Sequence, residues 1–115
     1  MQEVTGPDLK DFHMHLLEIL ADRNCVSILQ AIDKEPKPVS QISCECSIGP
    51  GVVYRKLTLL KAAGMVDSNY KIRPDGKKFF LYKSLLGHAS FSFTGDKMLV
   101  DVDLRVKPGL EMDTK

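Results

Sequence analysis

The segment Gly49–Val66, GPGVVYRKLTLLKAAGMV, constrains this chain more than any other, because it carries its own start, its own buried face and its own stop. Pro50 suits the first position of a helix, where its missing N–H would be unpaired anyway, and Gly49 or Ile48 then takes the cap. Val53, Leu57 and Leu60 recur at spacings of four and three and form one apolar face, while Tyr54, Arg55, Thr58 and Lys61 point elsewhere. Gly64 follows Ala62 and Ala63, where a left-handed residue ends a helix at little steric cost, so Met65 and Val66 open an extended segment.

The rest of the chain is organised around that helix. Thr5-Gly6-Pro7-Asp8 signals a turn or helix start, and Leu9, Phe12, Leu16, Ile19 and Leu20 then follow helical spacing to about Ala21. His13 and His15, two residues apart, fall on different faces and read as surface or interface residues rather than as a ligand pair. A second helix is expected from about Asp22 to Asp33, with Val26, Ile28, Leu29 and Ile32 as its apolar set and Asp22 or Asn24 as its cap. Glu35-Pro36-Lys37-Pro38 stops it. Val39 is placed to pair briefly with a sheet, and Ser40 to cap a short helix, Gln41 to Ser47, that buries Ile42 and Cys46. A break at Ile48-Gly49-Pro50-Gly51 separates the short helix from the long one, and these are the parts of a helix-turn-helix.

Two hairpins follow. Met65 to Arg73 and Lys77 to Ser84 are β-prone runs around Pro74-Asp75-Gly76, with Arg73, Lys77 and Lys78 clustered at the tip. Ala89 to Val106 alternates again, turning at Gly95-Asp96: Phe91 and Phe93 lie on one face, Met98, Val100, Val102, Leu104 and Val106 share a face, and Asp101, Asp103 and Arg105 look the other way. The expected fold is α+β, with a domain over 8–87, a hairpin extension over 88–106 and a loosely ordered tail over 107–115. The apolar face of the second hairpin needs a cover. It can fold back on its own domain or meet the first helix or hairpin of a second copy, and the expectation is a homodimer built that way.

Charge is distributed unevenly. Four basic and eight acidic residues fall in Met1–Ile48, eight basic and two acidic in Gly49–Gly87, and four basic and five acidic in His88–Lys115. A basic middle between acidic flanks is what a phosphate-facing element on a neutral domain shows, or else an ordinary solvated surface. No apolar run approaches the roughly 20 residues of a membrane helix, and MQEVTGPD lacks a basic stretch followed by an apolar one, so the expectation is a soluble cytoplasmic protein with no membrane partner. Cys25, Cys44 and Cys46 are an odd count, which favours reduced thiols. With no nucleophile beside a base, no metal-ligand set and no phosphate-cradling glycine motif, neither an enzyme nor a cofactor is expected.

The order helix, helix, helix-turn-helix, basic hairpin resembles the winged helix-turn-helix regulators, in particular the arsenic-repressor-like group of archaea and bacteria, over Leu16 to Leu86. LADRNCVSILQAI, Leu20 to Ile32, is similar to the group's second-helix pattern L-A-D-P-x-R-x-x-I-L-x-x-L, departing from it at Arg23 and Cys25. GPGVVYRKLTLLKAAGMV matches its recognition-helix pattern, and IRPDGKKFFLYKSL its wing. The resemblance implies a recognition helix over about 50–63 in the major groove of double-stranded DNA, and a basic wing over 73–78 on the backbone. It further implies DNA contacts from Gly51, Val52, Tyr54, Arg55 and Thr58, with Lys56 or Lys61 nearer the phosphates, and Arg73, Lys77 and Lys78 on phosphates from the wing.

Cys44-Glu45-Cys46 offers soft ligands for Zn, Cd or As(III), and several metal-sensing members of the group carry Cys-x-Cys on the helix before the recognition helix. Their pair lies further upstream, near the position of Pro38 and Ser40, so no metal site is expected. Cys46 reads as a buried small thiol, and a redox role for Cys44 stays open. The expected function is therefore sequence-specific DNA-binding transcriptional regulation by a homodimer; the alternative is a protein-interaction winged helix whose basic tip is merely solvated.

Overall fold

A computed structural model describes the backbone at Gln2–Val4 and Asp11 and residues 12–105 in full. Strand β1 (Gln2–Val4) precedes four helices, α1 (Asp11–Leu20), α2 (Arg23–Ala31), α3 (Val39–Cys46) and α4 (Pro50–Ala62). Two hairpins close the chain, β2 (Val66–Ile72) with β3 (Lys78–Ser84) and β4 (Leu86–Phe93) with β5 (Met98–Leu104). The fold is α+β, as the sequence pattern predicts. Thr5-Gly6-Pro7-Asp8, Leu9, Val106 and the tail 107–115 lie outside the described residues.

One core joins the helices to both hairpins. Leu16 and Ile19 of α1, Cys25, Ile28 and Leu29 of α2, Ile42 of α3, and Val53, Leu57 and Leu60 of α4 are buried together with Ile32, Met65 and Val66. On α4 the buried residues are the three that the spacing selects. On α1 the face is rotated from the expected one: His13 is buried at 5% exposure and Phe12 is 40% exposed, correcting the reading of His13 as a surface residue. His13 lies three residues before Leu16 and seven before Leu20, so the helical period carries it inward. On α2, Cys25 is buried while Val26 is half-buried, so the thiol takes part of the place assigned to the aliphatic.

Local chemistry explains the helix ends. The Asp22 carboxylate accepts hydrogen bonds from the N–H groups of Asn24 at 2.9 Å and Cys25 at 3.1 Å, capping α2. Pro38, not Ser40, caps α3, without a side-chain bond. Val39 opens α3, so the strand-like contact expected of it falls instead to Lys37, which exchanges backbone hydrogen bonds with Tyr82 at 3.0 and 2.9 Å. The turn between α3 and α4 takes its left-handed residue from Ser47, at φ 56, whereas Gly49 has φ −58. At the far end of α4, Gly64 at φ 80 donates to the Lys61 carbonyl at 3.0 Å, and Met65 donates to the Leu60 carbonyl at 2.9 Å. This is the paired closure that only a residue free to adopt positive φ makes cheaply.

The sheets differ from expectation in two respects. β2 and β3 form a two-stranded antiparallel sheet, but the second hairpin belongs to a three-stranded sheet of order β1-β5-β4, with Gln2, Glu3 and Val4 opposite Val100, Leu99 and Met98. β4 begins at Leu86, so the domain boundary read between 87 and 88 falls inside a strand. Ala89, Phe91, Val102 and Leu104 pack against the helical core. The chain itself thus covers the middle of the apolar face that the sequence reading offers to a second copy, while Phe93 at its end is 72% exposed.

Because Leu57 is 1% exposed and Leu59 is 36% exposed, Leu57→Ala is expected to lower unfolding free energy by about 2–5 kcal/mol, and Leu59→Ala by under about 1 kcal/mol. Urea denaturation followed by far-ultraviolet circular dichroism measures both.

Candidate nucleic-acid interface

The buried triad on α4 fixes which side chains face out. Gly51, Tyr54, Arg55, Thr58 and Lys61 are exposed, Tyr54 at 54%, and Val52 is half-buried at the helix start. Thr58 donates its hydroxyl to the Tyr54 carbonyl at 2.9 Å, one turn back. Lys61 reaches across to β2 and donates to the Ser68 hydroxyl at 2.5 Å. No carboxylate pairs with Arg55 or Lys61 among the described residues.

Lys56 departs from the expected set. Its ammonium lies 2.6 Å from Asp22 Oδ2, and it is turned inward from the exposed residues of its helix. That ion pair links α4 to the cap of α2, so Lys56 works as a structural cross-link. The Lys56 hydrogen bond, followed by the bond from the Cys25 N–H, holds the Asp22 carboxyl below its ordinary range, and the Asp22 bond holds the Lys56 ammonium above its own.

The β2–β3 hairpin stands beside α4. Its tip closes with Gly76 N–H to the Arg73 carbonyl at 2.9 Å and Arg73 N–H to the Lys77 carbonyl at 2.8 Å. Arg73 is held by Asp75 at 3.1 Å, so one tip cation is neutralised by its own turn. Lys77 is exposed, and Lys78 lies 4.6 Å from the centre of the Tyr70 ring, which meets Phe80 edge to face at 6.0 Å. Between hairpin and helix runs an open groove of about 480 Å³, with Tyr54, Thr58 and Lys61 on the helix side and Ser68, Phe80 and Tyr82 on the strand side.

Of the residues singled out from sequence, Tyr54, Thr58 and Lys61 line this groove, Arg55 stands on the same exposed helix, and Lys77 and Lys78 occupy the hairpin end. Gly51 and Val52 mark the start of α4. The aromatic strand wall, Tyr70, Phe80 and Tyr82, was missed. Register carries the signal, since Tyr70 faces Phe80 and Ser68 faces Tyr82 across the hairpin. Exposed Lys71 on β2 was missed as well.

The thiols are separate from this surface chemistry. Cys25 is buried, Cys44 exposed and Cys46 half-buried, all unbridged. Cys46 packs against the core and lies 3.5 Å from the Ser27 carbonyl, and burial pushes the Cys25 and Cys46 thiols up. Among the described residues no three His, Cys, Asp or Glu side chains gather as a metal would require, and no helix is long and apolar enough to cross a membrane.

No known protein family matches this chain, and no characterised protein is similar enough in sequence to count as a relative. The geometry above is thus the ground for a functional reading.

The pair Asp22–Lys56 makes a signed prediction. A lowered carboxyl contributes stability above its unfolded pKa of about 4 and loses it as pH falls through the folded value; a raised ammonium contributes below about 10.4 and loses it as pH rises through its folded value. Asp22→Ala is expected to cost about 0.5–2 kcal/mol at neutral pH through the lost cap, and to flatten the decline in stability below about pH 4. Denaturation midpoints across pH test it. For the thiols, Zn(II) titration under reducing conditions is expected to yield no tight stoichiometric complex, read by competition with a chromogenic chelator.

Proposed function

We propose that this chain is a sequence-specific, double-stranded-DNA-binding transcriptional regulator of winged helix-turn-helix type. In this reading α3 and α4 are the helix-turn-helix, α4 enters the major groove, and the β2–β3 hairpin is the wing on the sugar-phosphate backbone. The observation that carries it is the excess of exposed cations over carboxylates on α4 and the β2–β3 hairpin. No acidic residue occurs between Glu45 and Asp67, and Asp75, the next one, is held by Arg73. Among the described residues Arg55, Lys61, Lys77 and Lys78 have no carboxylate ion-paired to them, while Lys71 shares its face of β2 with Asp67. Such a surface attracts phosphates and releases their counterions, which is binding chemistry rather than catalysis.

In this reading the roles divide by position. Arg55, exposed on the second turn of α4, is the candidate for a bidentate contact to a guanine edge, and Tyr54 and Val52 for apolar contact with a thymine methyl. Lys61, Lys77 and Lys78 are phosphate ligands. Lys56, engaged by Asp22, is left out of the contact set, and Arg73 contributes only if it exchanges Asp75 for a phosphate. A protein-interaction role is the second reading, favoured by the exposure of Tyr54, Tyr70, Ile72 and Phe80 around the same groove.

Fluorescence anisotropy with duplex DNA at several salt concentrations separates the two. Arg55→Ala is expected to weaken the preferred duplex by about 1–3 kcal/mol and to relax sequence preference. Lys78→Ala is expected to weaken all duplexes alike and to reduce the slope of log affinity against log salt by about 0.9, one phosphate contact. Binding that ignores salt, or identical sequence-independent losses in both variants, would contradict this assignment.

A further inference from the structure

The order β1-β5-β4 leaves one long side of β4 without a strand partner among the described residues. Edges of that kind are ordinarily guarded by lysine, proline or short length. β4, LGHASFSF, runs for 8 residues with no lysine and no proline, and its irregularity lies at one end, between Leu86 and His88.

The hairpin turn determines which backbone groups face that edge. Gly95-Asp96 is a two-residue loop with Gly95 at φ 60, and the Thr94 N–H donates to the Lys97 carbonyl at 2.9 Å, so Thr94 and Lys97 are a hydrogen-bonded pair. Alternation then bonds Ser92 to Leu99 and Ser90 to Asp101, and it turns the N–H and C=O groups of Ala89, Phe91 and Phe93 outward.

These three residues complement a copy of themselves. An antiparallel second β4 in register about Phe91 sets Phe91 against its own equivalent and sets Ala89 against Phe93 of the second copy, each opposed pair exchanging two hydrogen bonds. Large then meets small at both ends. Phe93 is 72% exposed, and it shares its sheet face with Ala89, since both lie opposite inward residues of β5, Met98 and Val102. Beside Ala89, on the helix side, lies a cleft of about 480 Å³ lined by Leu20, Val26, Leu29 and Leu86. A ring placed across from Ala89 on that face enters this cleft.

We propose that the chain forms a twofold symmetric dimer by antiparallel pairing of its β4 edges, each Phe93 ring seated in the other copy's cleft beside Ala89. The two three-stranded sheets become one continuous sheet, and the isologous contact consumes the β4 edge, so assembly through it closes at two copies. The contact is modest. Each Phe93 ring removes roughly 150 Å² from water, and a short strand edge leaves the total below the roughly 1,200–2,000 Å² of stable complexes, so the dimer is weak and reversible. Nothing in this assignment depends on the nucleic-acid reading, and its test contains no DNA.

Sedimentation velocity on the full chain across a wide concentration range, paired with amide exchange by NMR, tests it. Association to a dimer is expected, weakened at least about tenfold by Phe93→Asp and retained by Phe93→Leu, with unchanged circular dichroism in both. At high concentration the amides of Ala89, Phe91 and Phe93 are expected to become protected, while those of Ser90 and Ser92 are protected at all concentrations. A monomer throughout, a dimer indifferent to Phe93→Asp, or outward amides protected independently of concentration, as when another part of the chain covers the edge, would each overturn the proposal.

Discussion

Burial of Val53, Leu57 and Leu60 against the other helices is the constraint on which the rest of this structure depends. With a period of 3.6 residues, setting those three inward fixes the rotation of α4 and sends Tyr54, Arg55, Thr58 and Lys61 outward. The paired closure at Gly64 then turns the chain directly into β2, while Met65 and Val66 remain in the core. The hairpin is held beside the exposed side of the helix because both grow from the same buried root. Lys37 and Tyr82 clip the link between α2 and α3 to β3 from the other direction.

Positive charge in the middle of the chain is only partly available at the surface. Lys56 is committed to Asp22, Arg73 to Asp75, and the Lys83 ammonium to the Asp33 carbonyl at 2.5 Å. What remains on the groove side of α4 and at the hairpin tip is Arg55, Lys61, Lys77 and Lys78, near the rings of Tyr54, Tyr70 and Phe80, while Lys71 lies beside Asp67 on the other face of β2. A charge count along the sequence overstates such a footprint, because neutralisation happens between residues far apart in the chain, as in Asp22–Lys56, and within a single turn, as in Arg73–Asp75.

The β4–β5 hairpin has two kinds of surface with different fates. Its apolar face is used internally, through Ala89, Phe91, Val102 and Leu104, and contributes to one core rather than to a separate unit. Its outer edge carries backbone groups whose hydrogen bonds the described residues leave to solvent or to another strand. Arg105 secures the start of this hairpin, its guanidinium lying 2.6 Å from Asp33 Oδ1 and donating to the Leu86 carbonyl at 3.1 Å. The α2 end and the start of β4 are thereby held on either side of the cleft that Leu29 and Leu86 line.

Local patterns alone determined the four helices, the buried triad of α4, the Asp22 cap, the stop at Gly64 and the two hairpins, because each is encoded in residues within a few positions of one another. The α+β class and the exposed basic residues of α4 follow from the same short-range periods. Tertiary structure decided what those periods cannot express. Pairing of Gln2–Val4 with β5 joins residues nearly a hundred positions apart, and the ion pair of Lys56 with Asp22 joins two helices. Burial of His13 in place of Phe12 depends on how α1 is rotated against its neighbours, and the cover over the second hairpin's apolar face depends on where the helices lie. A side chain's period says which residues share a face; only the packing of elements remote in sequence says what that face meets.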